Sequence, residues 1–246
     1  MNMVKTVIVT GSSSGIGRDI ARAFVARGDN VVLNGRDADK LAAVADSLGA
    51  PSRLVAFAGD IGTPTTGSEL VSLAVERFGR VDVLVNNAGI FGAKPFVDVT
   101  EADLDGYLNA NLKGTYFTTQ AVVRQLRAQK SGGSIVNIGT VLINHALAGL
   151  PASAALVSKG GVHALTTSLA AELAADGIRV NAVAPGIIRT PLFGDGDESA
   201  SARLALLNRI GEVSETTAAV LYLADATFAT GHIFPVDGGF ISGRAA

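Results

Sequence analysis

The chain has 246 residues, 48% of them apolar and 29 of them glycine, enough to bury a large core and too apolar for a disordered chain. Its 20 basic and 22 acidic side chains leave a net charge of −2, which argues against nucleic acid or an anionic membrane surface and leaves a small molecule as the expected partner. There is no cysteine, which excludes disulfides and thiolate chemistry.

From Met1 to Thr10 the chain runs straight into an apolar segment without a charged-then-apolar leader. No stretch of about 18 apolar residues follows, so a cytoplasmic protein is expected. Val7-Ile8-Val9 reads as the first buried strand, and Gly11, Gly15 and Gly17 follow it, interleaved with Ser13, Ser14 and Ile16. Glycines between a first strand and a first helix let the backbone turn sharply and approach a pyrophosphate, whose charge the helix N-terminus stabilises. Their spacing, G-x3-G-x-G, is also that of a plain structural turn; the position after the first strand favours the nucleotide.

The second strand, Val31 to Leu33, ends at Asn34-Gly35-Arg36. An NAD site places a carboxylate here for the ribose 2′-hydroxyl. The tip instead offers Arg36, whose fork of donors suits a 2′-phosphate, so NADP is preferred and NAD remains an alternative. Asp37 is expected to cap the next helix. Further buried strands are read at Leu54–Phe57, Val83–Val85, Ile135–Ile138, Val180–Val183 and His232–Val236, with helices near 16–27, 38–48, 67–78, 101–130, 153–175 and 214–224. This alternation predicts an α/β fold: one doubly wound, seven-stranded parallel sheet with helices on both faces, in a single domain over 1–246. The polar, turn-rich run within Thr190–Ser201 reads either as a flap over a site or as a solvated loop, and the substrate loop is placed at about 190–210. No metal site is read.

Taken in order, these residues resemble the short-chain dehydrogenase/reductase family over essentially the whole chain, which implies a Rossmann fold binding NAD(P). Thr10 to Gly17 matches the family's TGxxxGxG. Asp60, followed by Ile61, matches the aspartate that contacts the adenine, and Asn86-Asn87-Ala88-Gly89 matches its NNAG. Pro185-Gly186, Ile188 and Thr190 match the segment that orients the nicotinamide carboxamide, and Thr230-Gly231 through Val236-Asp237-Gly238-Gly239 matches the C-terminal TGxxxxVDGG.

The resemblance also implies a catalytic tetrad of asparagine, serine, tyrosine and lysine. Asn111 matches the asparagine, Lys159 the lysine that binds the nicotinamide ribose, and Thr140 stands for the serine with its hydroxyl kept. The tyrosine should lie one helical turn before Lys159, and that residue is Ala155. Tyr107, Tyr116 and Tyr222 all fall in other elements. Thr140 to Ala155 spans fifteen positions, about two more than is usual in the family. His145 lies in that stretch and reads either as a replacement acid or as a loop histidine near the surface. Ser153 is a second candidate, though a hydroxyl is a poor acid without strong activation, and Lys159 itself could donate if burial lowers its pKa.

Three functions follow. The first is an NADP-linked oxidoreductase of a small, largely apolar carbonyl or alcohol with a modified proton relay. The second is an enoyl or dienoyl reductase, whose proton goes to carbon. The third is a catalytically silent nucleotide-binding protein. A pocket lined by Thr140, His145, Leu150 and Phe193 is expected for the enzymes, with Leu192, Leu204 and Leu207 adding apolar wall. Leu104, Leu108 and Leu112, and Leu165, Leu169 and Leu173, give the long helices apolar faces that read either as core or, by resemblance, as the interface of a homotetramer or homodimer.

Overall fold

The structure, a computed structural model, describes residues 4–243. The start of the expected N-terminal run, Met1–Met3, and the last three residues of the expected domain, 244–246, lie outside the described residues. Seven strands form one all-parallel sheet: β1 (Thr6–Val9), β2 (Asn30–Gly35), β3 (Leu54–Ala58), β4 (Val83–Asn86), β5 (Gly133–Ile138), β6 (Ile178–Pro185) and β7 (Ile233–Val236), in the order β3-β2-β1-β4-β5-β6-β7. The helices are α1 (Gly15–Ala26), α2 (Ala38–Leu48), α3 (Thr66–Phe78), α4 (Glu101–Tyr107), α5 (Gly114–Gln129), α6 (Ser153–Glu172), α7 (Glu198–Ala202) and α8 (Val213–Asp225).

Strand side chains alternate between faces, so each apolar run feeds two cores. Val7 and Val9 point to one side, where they join Phe24 of α1, Leu41 of α2 and Leu223 of α8. Ile8 points to the other and joins Leu70 of α3, Leu126 of α5 and Ala170 of α6. Both layers are fully buried at their centres, which suits the β-branched residues of the central strands. Glycines in the left-handed region close two helices, Gly49 at φ 62° after α2 and Gly79 at φ 81° after α3.

The chain reverses its winding direction between β1 and β4, and their C-terminal ends splay into the crevice where doubly wound sheets bind ligands. The helix expected near 101–130 runs from Glu101 to Gln129, and its geometry changes on the way: α4 gives way to a π-helical stretch, Leu108–Lys113, before α5 begins. Wide turns of this kind gather at functional sites, and this one carries Asn111. Within the segment 190–210, the loop after Thr190 leads into a short helix, α7, N-capped by Asp197, whose carboxylate accepts the Ala200 N–H at 2.9 Å. Among the described residues, no helix is long and apolar enough to cross a membrane.

Candidate active site

The β1–α1 turn is fixed by its neighbours. The Thr10 hydroxyl oxygen accepts the N–H groups of Asn87 and Ala88, both at 3.0 Å, and the Asn87 amide donates to the carbonyls of Thr10 and Gly11, also at 3.0 Å. Gly11 sits at φ +64°, and a Cβ there would lie 2.7 Å from Ala88 Cα. At Gly17 a Cβ would lie 2.3 Å from the Gly11 carbonyl oxygen, so only glycine lets helix and strand pack this closely. Ser14, the α1 N-cap, makes no side-chain capping bond, and the first turn holds no acidic residue. The positive end of the helix therefore faces the crevice without a competing carboxylate.

At the β2 tip Arg36 is exposed and lines the crevice, whereas Asp37 caps α2, accepting the Lys40 N–H at 3.0 Å and pairing with the Lys40 ammonium at 3.2 Å. The side chain that could have served a ribose hydroxyl is thus committed to the helix. Asp60 lies opposite, its carboxylate held by the Gly62 N–H at 2.8 Å, beside the buried Ile61.

A buried polar chain fixes the other half. Asn86 donates to the Thr119 hydroxyl and to the Asn137 side-chain oxygen, and Asn137 donates to the Thr166 hydroxyl, each at 2.9 Å, so α5, β4, β5 and α6 are held in one register. On the π-helical stretch, Asn111 grips the backbone of Ile90 twice, accepting its N–H at 2.7 Å and donating to its carbonyl at 3.0 Å, and donates to Ser158 at 2.8 Å. Lys159 is buried and donates to the Ile138 carbonyl at 2.6 Å. Burial drives its pKa down to about 8. Lys159 and Asn111 meet at Gly89, where a Cβ would lie 3.2 Å from the ammonium and 2.8 Å from the Asn111 oxygen. Ala155, one turn before Lys159, is fully buried. The Thr140 hydroxyl accepts the Leu142 N–H at 3.3 Å and starts a short 3-10 turn, Val141–Ile143.

A single cavity of about 840 Å³ connects these parts. It is lined by Gly11, Ser13, Ser14, Gly15, Ile16, Arg36, Asp60, Ile61, Asn87, Ala88 and Gly89 at one end, and by Thr140, Lys159, Pro185, Gly186, Ile188 and Thr190 at the other. Three residues read as site residues do not line it. Gly17 packs the helix onto the turn. Asn111 lies behind Gly89. His145, read as a candidate acid, stands edge-on to the Phe240 ring with centroids 5.3 Å apart, and it is Phe240 that lines the cavity. None of the three tyrosines lines it, nor do Ala155, Leu204 and Leu207. The apolar wall is Ile90, Phe91, Leu142, Leu147, Leu150, Ile187, Leu192 and Phe193.

Sequence reasoning missed two features. His163, one turn beyond Lys159, reaches back to Thr140. Arg189 forks onto Glu198 of α7, with its second nitrogen at 2.6 Å, and pairs with Glu212 at 3.0 Å, which fastens the loop over the cavity. Only the spacing of His163 from Lys159 was visible in advance. Among the described residues, no group of three or more histidine or acidic side chains is placed to hold a metal ion.

Comparison with known proteins places the chain among similar ones along its length. A family model described as short chain dehydrogenase matches residues 5–200. The chain is 37% identical over 241 residues to the succinyl-CoA-derivative dehydrogenase subunit BbsD of Thauera aromatica, covering 96% of each chain. A short-chain type dehydrogenase/reductase from Mycobacterium marinum superposes with a TM-score of 0.91 at 31% identity, over 97% of this chain and 96% of that one. ElxO with NADP bound superposes with a TM-score of 0.90 at 30% identity, over 98% and 100% of the two chains.

Proposed function

This chain belongs to the short-chain dehydrogenase/reductase family of NAD(P)-binding oxidoreductases, and we propose that it is an NADP-linked member acting on a small, largely apolar carbonyl or alcohol through a proton relay that dispenses with tyrosine. The observation that carries this reading is the continuity of one cavity from the glycine turn and Arg36 to Lys159, Thr140 and an apolar wall.

The residues fit a dinucleotide. The Gly11–Gly17 turn, drawn tight against Ala88 and Asn87, leaves backbone amides free of side chains for a pyrophosphate. Asp60 and Ile61 would flank the adenine, Asn87 to Gly89 would lie along the chain of the cofactor, Lys159 would hold the nicotinamide ribose, and Pro185, Gly186, Ile188 and Thr190 would orient the carboxamide. When bound, the nicotinamide supplies or takes the hydride. The protein's own share is to hold the substrate oxygen and move a proton. Thr140 keeps the hydroxyl that polarises a carbonyl. Lys159 is the proton donor, because it lines the cavity, its pKa is brought down to about 8, and His145 does not line the cavity. The apolar wall selects an uncharged substrate: among the described residues, the only charged side chains lining the cavity are Arg36, Asp60 and Lys159.

Purified protein with NADPH and a panel of apolar aldehydes, ketones and enoyl thioesters tests the reading. Turnover with carbonyls is expected. Preference for the enoyl thioesters would place the proton on carbon instead, and cofactor binding without any turnover would leave a silent nucleotide-binding protein.

The cofactor preference rests on Arg36, and the NADP-bound relative supports it. Arg36→Ala should weaken NADPH binding by about 10- to 100-fold, the worth of charge-assisted hydrogen bonds of about 1.5–3 kcal/mol, and leave NADH binding within about threefold. Equal loss for both cofactors in a titration of nicotinamide fluorescence contradicts the assignment.

The reading extends to a single-domain cytoplasmic protein whose loop at 190–210 gathers the substrate, with neither nucleic acid nor membrane as partner and a homotetramer or homodimer as the assembly. The exposed apolar residues that support an assembly are Tyr116 and Phe117 on α5, Val157 on α6 and Phe234 on β7. The leucines of the long helices are partly or fully buried within the chain itself, Leu173 in the core and Leu112 against Gly161.

A further inference from the structure

The β5 ladder ends at Gly139, within the cavity wall and one residue before Thr140. The Gly139 N–H donates to the Val183 carbonyl at 2.8 Å, the last rung with β6. The next amide, that of Thr140, has passed the end of the strand, and it donates instead to Nε2 of His163 on α6 at 3.4 Å. A second observation concerns the same ring. A Cβ added at Gly139 would fall 2.1 Å from His163 Nε2 and 2.8 Å from its Cδ2. The imidazole fills the space a side chain at 139 would take, so Gly139 and His163 form one fitted pair. Gly139 has no positive φ to account for it.

Thr140 is therefore held from both sides. Upstream its N–H is bound by His163. Downstream its hydroxyl accepts the Leu142 N–H and starts the 3-10 turn that carries Val141 and Leu142 into the cavity wall. His163 is also one turn from Lys159 along α6, so a single helix face sets both the lysine and the threonine.

We propose that His163 is a positioning residue that holds Thr140, through its backbone amide, in the cavity wall opposite Lys159. The proposal rests on the reading of this cavity as the site of hydride transfer. Nε2 must be unprotonated to accept, so the ring proton resides on Nδ1. Burial and the adjacent Lys159 ammonium both hold the His163 pKa below its ordinary value, which keeps that acceptor available. The backbone amide would otherwise be an unpaired donor at a strand end, and a loose donor there lets the turn shift. A displacement of about 1 Å in a group that positions substrate can cost 10²-fold.

Two substitutions at His163, set beside Gly139→Ala, test this. The glutamine of His163→Gln reaches about as far as Nε2 and keeps an acceptor, whereas His163→Leu keeps the bulk and removes it. Amide hydrogen exchange at Thr140 and steady-state turnover are measured together. In His163→Leu the Thr140 amide should exchange about tenfold faster, and kcat should fall about 10- to 100-fold with little change in KM for NADPH. His163→Gln should recover most of both, and Gly139→Ala, which pushes the ring away, should behave like the leucine variant. Should His163→Leu fail to fold, the glutamine and alanine variants give the same contrast. Equal exchange at Thr140 in all variants overturns the proposal whether or not the protein turns over. Faster exchange with an unchanged kcat overturns it as well. If the wild-type protein shows no turnover with any substrate, it is the hydride-transfer reading that fails, and the exchange pattern alone then decides whether His163 holds Thr140.

Discussion

Lys159→Met is expected to lower kcat/KM for NADPH-dependent reduction by about 10²–10⁴-fold, the contribution of a positioned general acid, or about 3–5 kcal/mol of barrier. The unbranched side chain is one heavy atom shorter and loses its charge, so the aliphatic packing around it in the core is largely preserved. The pH dependence identifies the role. With a pKa of about 8, Lys159 is mostly protonated at neutral pH and loses its proton as pH rises through that value. Reduction, which needs the acid form, should fall above about pH 8, and oxidation, which needs the base form, should rise over the same interval. Both steps should vanish in the methionine variant. A flat profile in the wild-type protein would rule out lysine as the donor. The shift has a thermodynamic counterpart that does not depend on turnover. The unfolded chain holds this proton up to the ordinary value of 10.5, the folded chain only to about 8. Between those values the unfolded state binds more protons, so stability gains with pH across the window. Below it the buried ammonium costs stability in full. Relative to the methionine variant, the wild-type protein should therefore gain stability as pH rises from about 8 to 10, read from paired thermal melts.

The parts of the site that were legible in the sequence are those where backbone geometry leaves one residue type. The β1–α1 turn admits only glycine at 11 and 17, because a Cβ would strike Ala88 or the Gly11 carbonyl, and that requirement stands in the chain as a spaced motif. The central strands were legible because both faces of the sheet are buried there and their runs are rich in valine and isoleucine, whereas the edge strands β3 and β7 are partly exposed. The π-helical stretch was not. One extra residue in a wide turn hardly disturbs an apolar period of 3.6, and what holds Asn111 there is a pair of bonds to Ile90, twenty-one residues away. His163 was passed over for a related reason. Its meaning depends on Gly139 lying under its ring, which no local pattern encodes. His145 drew attention through its chemistry, yet it does not line the cavity, whereas Phe240, almost a hundred residues on and in ring contact with it, does. The acidic run near 195–198 has a use that composition hid: Asp197 caps α7 and Glu198 takes the fork of Arg189.

Ala155→Tyr, which introduces the tyrosine that the family resemblance implies at this position, is expected to weaken the fold without raising activity. If the chain were an ordinary member with one lesion, the space for a phenol would remain open to the cavity, and the tyrosine would return about 10²–10⁴-fold in rate. The structure argues otherwise. Ala155 is fully buried, does not line the cavity, and is followed one turn later by Lys159, whose ammonium already takes the Ile138 carbonyl at 2.6 Å. The Ser158 hydroxyl donates to the Ala155 carbonyl at 2.8 Å and accepts from Asn111, so the backbone at this turn is tied into the buried network and cannot swing aside. A phenol ring must therefore displace packed neighbours. Overpacking of this kind costs about 1–3 kcal/mol or more, and in a chain of this size each kcal/mol moves the melting temperature by about 2–4 °C. The expected outcome is a Tm lowered by about 2–12 °C with turnover no higher than in the parent protein. A gain in rate of 10²-fold or more at an unchanged Tm would show that the tyrosine's place has been kept vacant, and the lysine-based relay would have to be abandoned.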